Sequence, residues 1–449
     1  MILLAYYGDD FTGSTDALEA LTTSGVEAVL FTEPPDEQLL AQFPHVSAIG
    51  VAGNSRCMTP QRMEQTLPGV FESLLARRPA IVHYKVCSTF DSSPQIGSIG
   101  RAIDIGQRVF QNRLVPLVVG TPSLQRFCVF GNLFARSGLD SPVYRLDRHP
   151  TMSKHPVTPM MEADLRVHLS RQTNRPVQLV DLLMLERGPA AAEAAMSGGE
   201  GDIVLFDTVT GEHLATIGQL IWAAHRREQK PLFVAGSSGI ESALTTHWRT
   251  SGVLPSESKG FTPSRPVERA VVVSGSCSPV TGRQIAWALA NGFAEVPLDT
   301  VGLIQTTTID ADIAAVAQRV AAELDAGRSV IVHTSRGPDD ERIAATQQSV
   351  QASLTGEALG VILGRILGQV LRSRPVERVA VAGGDTSGAV ARTIGIEALE
   401  MVGPLAPGAP LCVARSRRAE VEGVEFTFKG GQVGHDDFFG SLLRGGPSR

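Results

Sequence analysis

The chain has 449 residues, of which 43% are hydrophobic and 19% charged, and its net charge is −6. This length exceeds one ordinary core and predicts two or three globular domains. The negative charge argues against nucleic-acid binding, which depends on clustered Lys and Arg, and no apolar run approaches the roughly 18 residues that span a membrane. The five cysteines lack CxxC spacing and no secretory leader is evident. We therefore expect reduced thiols, no zinc and a cytoplasmic location.

Short apolar runs alternate with helical patterns through the first 250 residues. The sequence predicts strands at residues 2–6, 28–31, 46–51, 80–85, 116–119, 177–180, 203–206 and 232–235. It predicts helices between several of them, at residues 61–76, 100–110, 162–171 and 217–226. Continuous apolar strands separated by helices are typical of a parallel sheet covered on both faces.

Residues 251–266 are rich in Ser, Pro and Gly and are predicted to be an interdomain linker. A second alternation follows, with strands at 270–273, 329–333, 378–382 and 424–429 and helices at 280–290, 311–325 and 357–371. We therefore predict two α/β domains, residues 1–250 and 267–449, each with a mainly parallel sheet covered by helices. An active site is expected in the cleft between them.

Two adjacent carboxylates, Asp9 and Asp10, follow the first predicted strand. Neighbouring carboxylates are costly unless a cation, a metal or a sugar hydroxyl engages them. We predict that one of these three engages them, with helix capping by Thr12 or Ser14 and solvated carboxylates as the alternative. Arg56, in the turn after the third strand, is a further candidate for a bidentate carboxylate contact.

A second polar constellation follows the strand at residues 80–85. Lys85 suits a carboxylate or phosphate, and Ser88 and Asp91 suit polyol hydroxyls. Arg148 lies in a proline-locked basic loop at residues 145–160, which is predicted to border an anionic substrate. His149 and His155 in that loop have no suitably spaced third ligand, which argues against a metal site.

Three glycine or serine turns follow strands of the second predicted domain, at residues 274–278, 383–388 and 429–434. Turns after the carboxyl ends of parallel strands converge on one rim, where their backbone N–H groups suit phosphates. None matches the P-loop or dinucleotide fingerprint. The alternative is that these turns only connect strands to helices and that Asp385 caps its helix.

Four segments resemble the motifs of the four-carbon acid sugar kinase family, and they occur in the family's order across nearly the whole chain. They are residues 8–16 (GDDFTGSTD), 84–92 (YKVCSTFDS), 155–159 (HPVTP) and 383–388 (GGDTSG), and residues 429–431 (KGG) correspond to the family's final glycine turn. Gly8 and Asp385 replace a common alanine and glutamate. The CSTFD form resembles the 3-oxo-tetronate kinase branch more than the threonate branch.

The resemblance implies an ATP-dependent kinase that phosphorylates the terminal hydroxyl of a short sugar acid. It implies a substrate domain that uses Asp9, Asp10, Lys85, Ser88 and Asp91. It also implies a nucleotide domain whose ATP contacts come from Ser276, Ser278, Gly383, Gly384, Asp385, Thr386 and Gly431. The expected acid is 3-oxo-tetronate, with threonate, erythronate and 3-oxo-isoapionate as alternatives.

For the mechanism we expect Asp10 to orient or deprotonate the acceptor hydroxyl, with Asp385 close to Mg²⁺ and the phosphates. The expected ligands are ATP, Mg²⁺ and a sugar acid, with neither nucleic acid nor membrane as a partner and with a homodimer as the assembly. Two other classes stay open at this point. One is a Mg²⁺-dependent sugar-acid dehydratase or isomerase, and the other is a non-enzymatic sugar-acid sensor.

Overall fold

The computed structural model describes residues 1–137, 141–155, 157–255, 260–306, 308–349 and 352–447. The chain divides into two compact units. The first unit is Met1–Ala28 with Pro34–Lys259, and the second unit is Val29–Glu33 with Gly260–Arg449. The sequence predicts residues 1–250 as one domain, whereas the structure assigns residues 29–33 to the second unit. Residues 256–259 of the predicted linker lie outside the described residues.

The first half of the chain alternates strands and helices, as the apolar runs predict. Its strands are β1 (Leu4–Gly8), β2 (Ala28–Phe31), β3 (Ala48–Ala52), β4 (Ile81–Lys85), β5 (Val115–Val118), β6 (Arg126–Val129), β7 (Asn132–Arg136), β8 (Val143–Arg145), β9 (Val177–Val180), β10 (Ile203–Phe206) and β11 (Leu232–Gly236). Its helices are α1 (Phe11–Thr23), α2 (Glu37–Leu40), α3 (Pro60–Ala76), α4 (Ile99–Phe110), α5 (Leu165–Leu169), α6 (Leu182–Glu186), α7 (Pro189–Gly198), α8 (Gly211–Glu228) and α9 (Gly239–Thr250).

The main sheet of the first unit is parallel, with the strand order β3-β1-β4-β11-β5-β10-β9. The central strands are buried along their whole length, as expected for a sheet with helices on both faces. Gly8 is in register with Ala52 and Lys85, and Lys85 is in register with Gly236. The carboxyl ends of these strands are therefore level, and the turns that follow them share one rim.

A small antiparallel sheet of β6, β7 and β8 was not predicted. Its strands are only partly buried, and β7 alternates buried and half-buried residues rather than forming a continuous apolar run. The buried Asp207, which follows β10, fixes the β6–β7 turn by accepting hydrogen bonds from the backbone N–H of Phe130 (2.6 Å) and Gly131 (2.8 Å). A distant carboxylate thus holds the hairpin against the main sheet.

The second half continues with β12 (Val271–Ser274), β13 (Ala294–Pro297), β14 (Val330–His333), β15 (Arg378–Ala382), β16 (Ala398–Ala406), β17 (Ala409–Arg415) and β18 (Glu425–Lys429). Its helices are α10 (Pro279–Ala290), α11 (Thr300–Gln305), α12 (Ile309–Asp325), α13 (Glu341–Ser349), α14 (Ala352–Ser373), α15 (Gly384–Ile394) and α16 (Phe438–Arg444). Among the described residues, no helix is both long enough and apolar enough to cross a bilayer.

The sheet of the second unit has the order β13-β14-β12-β15-β18-β17-β16-β2. Strands β13, β14, β12, β15 and β18 are parallel, whereas β17 and β16 are antiparallel. Strand β2 pairs antiparallel with β16, with Phe31 opposite Ala398. The run at residues 28–31 is therefore a strand as predicted, but it belongs to the second sheet.

Helices α14 and α15 pack closely because α14 presents a glycine at every fourth position. A Cβ at Gly360 would lie 2.6 Å from the Cβ of Ala389, and a Cβ at Gly364 would lie 2.7 Å from that of Thr393. Both distances are shorter than non-bonded carbon–carbon contacts in proteins, so a side chain at either position would force a shift. Glycine at these two positions therefore sets how near α15, which begins directly after the turn at Gly383, lies to its neighbour.

Candidate active site

Asp10 caps the first helix rather than lying free in solvent. Its Oδ1 accepts the backbone N–H of Gly13 at 2.9 Å, and its Oδ2 accepts the hydroxyl of Thr12 at 2.7 Å. Asp9, which precedes it, is buried, and its backbone N–H donates to the carbonyl of Lys85 at 2.8 Å. The alternative in which Thr12 or Ser14 caps the helix beside solvated carboxylates is therefore wrong.

Arg56 lies directly against both carboxylates. Its Nη2 donates to Oδ1 of Asp9 at 2.7 Å and to Oδ1 of Asp10 at 2.8 Å, while its Nε donates to Oδ2 of Asp9 at 3.2 Å. Its Nη1 is 4.0 Å from Oδ2 of Asp91. The guanidinium thus serves three carboxylates of the protein, and the predicted contact of Arg56 with a ligand carboxylate stays a prediction.

The guanidinium of Arg56 affects Asp9 and Asp10 unequally. Burial raises the pKa of Asp9 to about 6, with the Asp10 charge adding to the effect and Arg56 opposing it. Burial acts in the same direction on Asp10, but the Arg56 charge and the Thr12 hydroxyl outweigh it and lower the pKa of Asp10. Two adjacent carboxylates with opposite shifts are suited to different roles, one ionised throughout and one able to exchange a proton near neutrality.

Lys85 lies at the same rim and is also occupied. Its Nζ is 3.2 Å from Oδ2 of Asp16 and donates to the carbonyl of Val86 at 3.2 Å. Burial opposes protonation, but the Asp16 charge prevails and the pKa of Lys85 is raised. The ammonium is therefore a fixed positive charge on the rim.

The turn after β4 brings the other predicted contacts to the same rim. Thr89 donates to Oδ1 of Asp91 at 2.7 Å, which orients that carboxylate. Ser88 is half-buried and makes no hydrogen bond with the residues that the structure describes. Its hydroxyl is available to a ligand.

The predicted basic loop is ordered by its histidines rather than by prolines alone. Nδ1 of His149 accepts the backbone N–H of Thr151 and of Met152, both at 3.2 Å. Arg148, the predicted substrate contact, is 78% exposed, and its Nε lies 3.7 Å from Asp147. Pro156 of the HPVTP motif lies outside the described residues. No group of three or more potential metal ligands occurs in the part of the chain that the structure describes.

The three turns predicted in the second unit come together. The side chain of Thr386 packs against Gly275 and Gly383, since a Cβ at these positions would lie 2.2 and 2.9 Å from its Oγ1. A Cβ at Gly431 would lie 2.8 Å from Oγ of Ser276 and 2.9 Å from Cβ of Ser278. Serine turn, GGDTSG turn and final glycine turn thus form one cluster at the level ends of β12, β15 and β18.

The backbone of this cluster exposes the start of a helix. Gly383 has φ +120°, a conformation that favours glycine, and α15 begins at Gly384 with Asp385 and Thr386 in its first turn. A helix N-terminus after a glycine turn attracts anions. Asp385 lies in this first turn, and its predicted place close to Mg²⁺ and the phosphates stays a prediction.

Lys429, at the end of β18, was not assigned a role by the sequence. Its ammonium is buried and donates a hydrogen bond to Oγ1 of Thr281 at 3.1 Å. It also lies 5.8 Å from the centre of the Phe438 ring. Burial lowers its pKa to about 7. A lysine inside an apolar run at a strand end is a sequence signal, because lysine is rarely fully buried without a partner.

Sequence reasoning also missed Arg126, Asp16 as the partner of Lys85, and the buried pair of His83 and Glu241. Nδ1 of His83 lies 2.7 Å from Oε1 of Glu241, and its Nε2 lies 3.0 Å from the carbonyl of Gly236. Both ring nitrogens face acceptors. His83 stands inside an apolar strand, and that position is the only signal that the sequence offers.

The comparisons with known proteins follow this division of the chain. Residues 4–244 match the family model described as a sugar-binding N-terminal domain, and residues 271–439 match that of a nucleotide-binding C-terminal domain. A 3-oxo-isoapionate kinase of Paraburkholderia graminis is 46% identical over 99% of this chain and 94% of its own length. A 3-oxo-tetronate kinase of Methylobacterium radiotolerans is 31% identical over 98% of this chain and 99% of its own.

Two solved structures share the fold over nearly the whole chain. A Salmonella typhimurium LT2 protein has a TM-score of 0.79 at 25% identity, covering 99% of both chains. A Haemophilus influenzae protein has a TM-score of 0.70 at 25% identity, covering 98% of both. The predicted two-domain α/β fold and the predicted sugar-acid kinase class are confirmed. The chain belongs to the four-carbon acid sugar kinase family.

Proposed function

We propose that this protein transfers the γ-phosphoryl group of ATP to the terminal hydroxyl of a short sugar acid, with 3-oxo-isoapionate as the favoured acceptor. The single observation that carries this choice is the 46% identity with a 3-oxo-isoapionate kinase across 99% of the chain. The relatives named 3-oxo-tetronate kinase are at most 31% identical among those compared. The sequence motifs favoured 3-oxo-tetronate, which becomes the alternative acceptor.

For the nucleotide, we propose that the cluster of turns in the second unit binds the phosphate chain. Ser276, Ser278 and Thr386 offer hydroxyls, and Gly383, Gly384 and Gly431 allow the backbone to approach. The N–H groups at the start of α15 favour negative charge. Asp385 would hold Mg²⁺, which when bound neutralises charge on the transferred group.

For the acceptor, we propose that Asp9 and Asp10 have different roles. Asp10 stays ionised and keeps Arg56 in place, which preserves the rim on which the sugar lies. Asp9, with its pKa near 6, is mostly deprotonated at neutral pH and is the better proton acceptor of the two. From the sequence, Asp10 is expected to orient or deprotonate the acceptor hydroxyl. We assign the proton-accepting role to Asp9 instead.

The other predicted contacts complete the acceptor site as proposed here. Ser88 has a hydroxyl free for a sugar oxygen, Asp91 is oriented by Thr89, and Lys85 supplies a fixed positive charge. Arg148 is exposed, so a contact with the acid requires that its side chain reorient.

The test is a screen of ADP formation with MgATP against 3-oxo-isoapionate, 3-oxo-tetronate, threonate and erythronate, with the phosphorylated product identified by mass spectrometry. We expect the highest kcat/KM for 3-oxo-isoapionate. Conversion of a sugar acid without ATP would indicate a dehydratase or isomerase, and binding without conversion would indicate a sensor. A higher kcat/KM for a four-carbon acid would replace the favoured acceptor but keep the kinase.

A further inference from the structure

Two basic side chains of the first unit have donor atoms that no described residue uses. We propose that Arg126 and His149 form the pocket for the carboxylate of the acceptor, so that they select an acid over a neutral sugar. The proposal rests on the proposed sugar-acid kinase function and assigns the acid end of its acceptor. The sequence assigned no role to Arg126, and it predicted only that the loop containing His149 borders an anionic substrate.

Arg126 is held at the carboxyl end of the main sheet with one edge of its guanidinium unused. Its backbone pairs with that of Thr121, which follows β5, through hydrogen bonds of 2.9 and 3.2 Å. Nη1 donates to the carbonyl of Leu124 at 2.6 Å. Nε is buried without a hydrogen-bond partner, and Nη2 donates to none of the described residues. The Nε–Nη2 edge is the one that binds carboxylates with two parallel hydrogen bonds.

His149 presents a single N–H donor. Because Nδ1 accepts two backbone N–H groups, from Thr151 and Met152, the proton of the neutral ring lies on Nε2. His149 is only 4% exposed, and Nε2 has no partner with hydrogen-bond geometry among the described residues, although the carbonyl of Arg136 acts on the ring. A buried N–H that faces this carbonyl outside good hydrogen-bond geometry gains a well-formed hydrogen bond when a ligand supplies an acceptor.

The β6–β7 hairpin brings the two side chains to neighbouring positions, because Arg126 pairs with Ala135 and the carbonyl of the next residue, Arg136, acts on the His149 ring. Asp91 is close enough to affect the pKa of both Arg126 and His149, and Arg126 affects that of His149. Burial lowers the pKa of Arg126, with Cys87, Asp91 and Asp16 opposing it. Because the backbone of Arg126 pairs with Thr121 at the carboxyl end of β5, the pocket lies at the rim that carries the predicted sugar contacts.

The other two cations of the rim are already paired with carboxylates of the protein. Arg56 is bound by Asp9 and Asp10, and Lys85 is paired with Asp16. Arg126 has no carboxylate within 4.0 Å among the described residues, so its charge is the one left to balance a ligand carboxylate. A carboxylate brought beside Asp9, Asp10 and Asp91 without such a cation would be repelled.

The experiment compares 3-oxo-isoapionate and 3-oxo-tetronate with their carboxamides, which keep the hydroxyls but lose the negative charge. For Arg126→Gln we expect KM for the acids to rise about 100-fold, as for a lost charged hydrogen bond, while the amides change less than about threefold. Arg126→Lys should recover only part of the loss because it lacks the planar fork. His149→Asn, whose Oδ1 can still accept the two backbone N–H groups, should raise KM for the acids about tenfold.

Matched controls are Arg187→Gln and His45→Asn, both at exposed positions of the first unit. Both should leave KM unchanged for the acids and for the amides. Equal losses for acid and amide in Arg126→Gln would show a structural role and overturn the proposal, as would an unchanged KM for the acids. Calorimetric binding of each acid without ATP tests the pocket by itself. A wild type that binds the acids through Arg126 but forms no ADP would refute the proposed kinase function alone.

Discussion

Arg56 binds Asp9 through two hydrogen bonds, from Nη2 at 2.7 Å and from Nε at 3.2 Å. The same Nη2 also contacts Asp10 at 2.8 Å. An arginine that pairs two carboxylates from the neighbouring strand end is part of the rim itself. It holds the acidic pair in place, and the electrostatic difference between Asp9 and Asp10 arises from how they share it.

The first prediction concerns the pH dependence of activity. With the pKa of Asp9 raised to about 6, protonation below that pH removes the proposed proton acceptor, so kcat/KM should fall as the pH is lowered through about 6. In Asp10→Asn this acidic limb should persist but move to lower pH, because the Asp10 charge raises the pKa of Asp9. Both are measured as pH–rate profiles with saturating MgATP.

The control for this profile is Asp9→Asn. In its assay ATP and the sugar acid ionise as they do with the wild type, so only the titration of Asp9 is removed. We expect its residual activity to lack the limb near pH 6. A limb that stays in Asp9→Asn and disappears in Asp10→Asn would return the proton-accepting role to Asp10.

The second prediction is a pair of opposite effects within α14. Gly360→Ala should lower stability by about 2 kcal/mol, because the new methyl would lie 2.6 Å from Ala389. Gly368→Ala should raise stability by up to about 1 kcal/mol, because the nearest atom, on Arg372, is 3.6 Å away and alanine favours a helix. Chemical denaturation of the full chain measures both. A stabilised Gly360→Ala would show that α15 moves aside without cost.

Much of this fold is predictable because strands in parallel sheets are continuous apolar runs. The strands at residues 177–180, 203–206 and 378–382 occur at those positions, and the turns after strand ends meet as expected. The hairpin of β16 and β17 was not predicted, since Pro404 and Pro410 argue against strands. The structure accommodates them opposite each other, next to register shifts in the pairing.

The site is less predictable than the fold because partner choice depends on distance in space. Motif position identified Asp9, Asp10, Lys85 and Arg56 as rim residues, but nothing in the sequence shows that the two cations pair with carboxylates of the same rim. In the loop at residues 145–160 the sequence favoured Arg148. The neighbouring histidine is the buried one, because its ring caps the backbone of the next turn.

The third prediction concerns stability and Lys429. Its pKa is about 7 when folded and close to the ordinary 10.5 when unfolded. Between these values the unfolded chain binds more protons, so this lysine makes stability rise with pH by up to about 1.4 kcal/mol per unit. Lys429→Met should be more stable than wild type at pH 7.5, and the difference should shrink by about 2 kcal/mol at pH 9. Lys230→Met, at a side chain that is 41% exposed beside Glu228, is the control and should show no such change. A difference independent of pH would contradict the prediction.

The fourth prediction separates capping from catalysis at Asp10. Asp10 and Asp181 both cap a helix by accepting a backbone N–H at 2.9 Å, from Gly13 and Met184 respectively. Asparagine caps about as well as aspartate, so Asp10→Asn and Asp181→Asn should each change stability by less than about 1 kcal/mol. Only Asp10→Asn also loses one of the two negative charges that Arg56 contacts through Nη2, and its kcat should fall about 100-fold while that of Asp181→Asn is unchanged. If the turnover of Asp10→Asn stays within about threefold of wild type, Asp10 is a cap and not part of the chemistry.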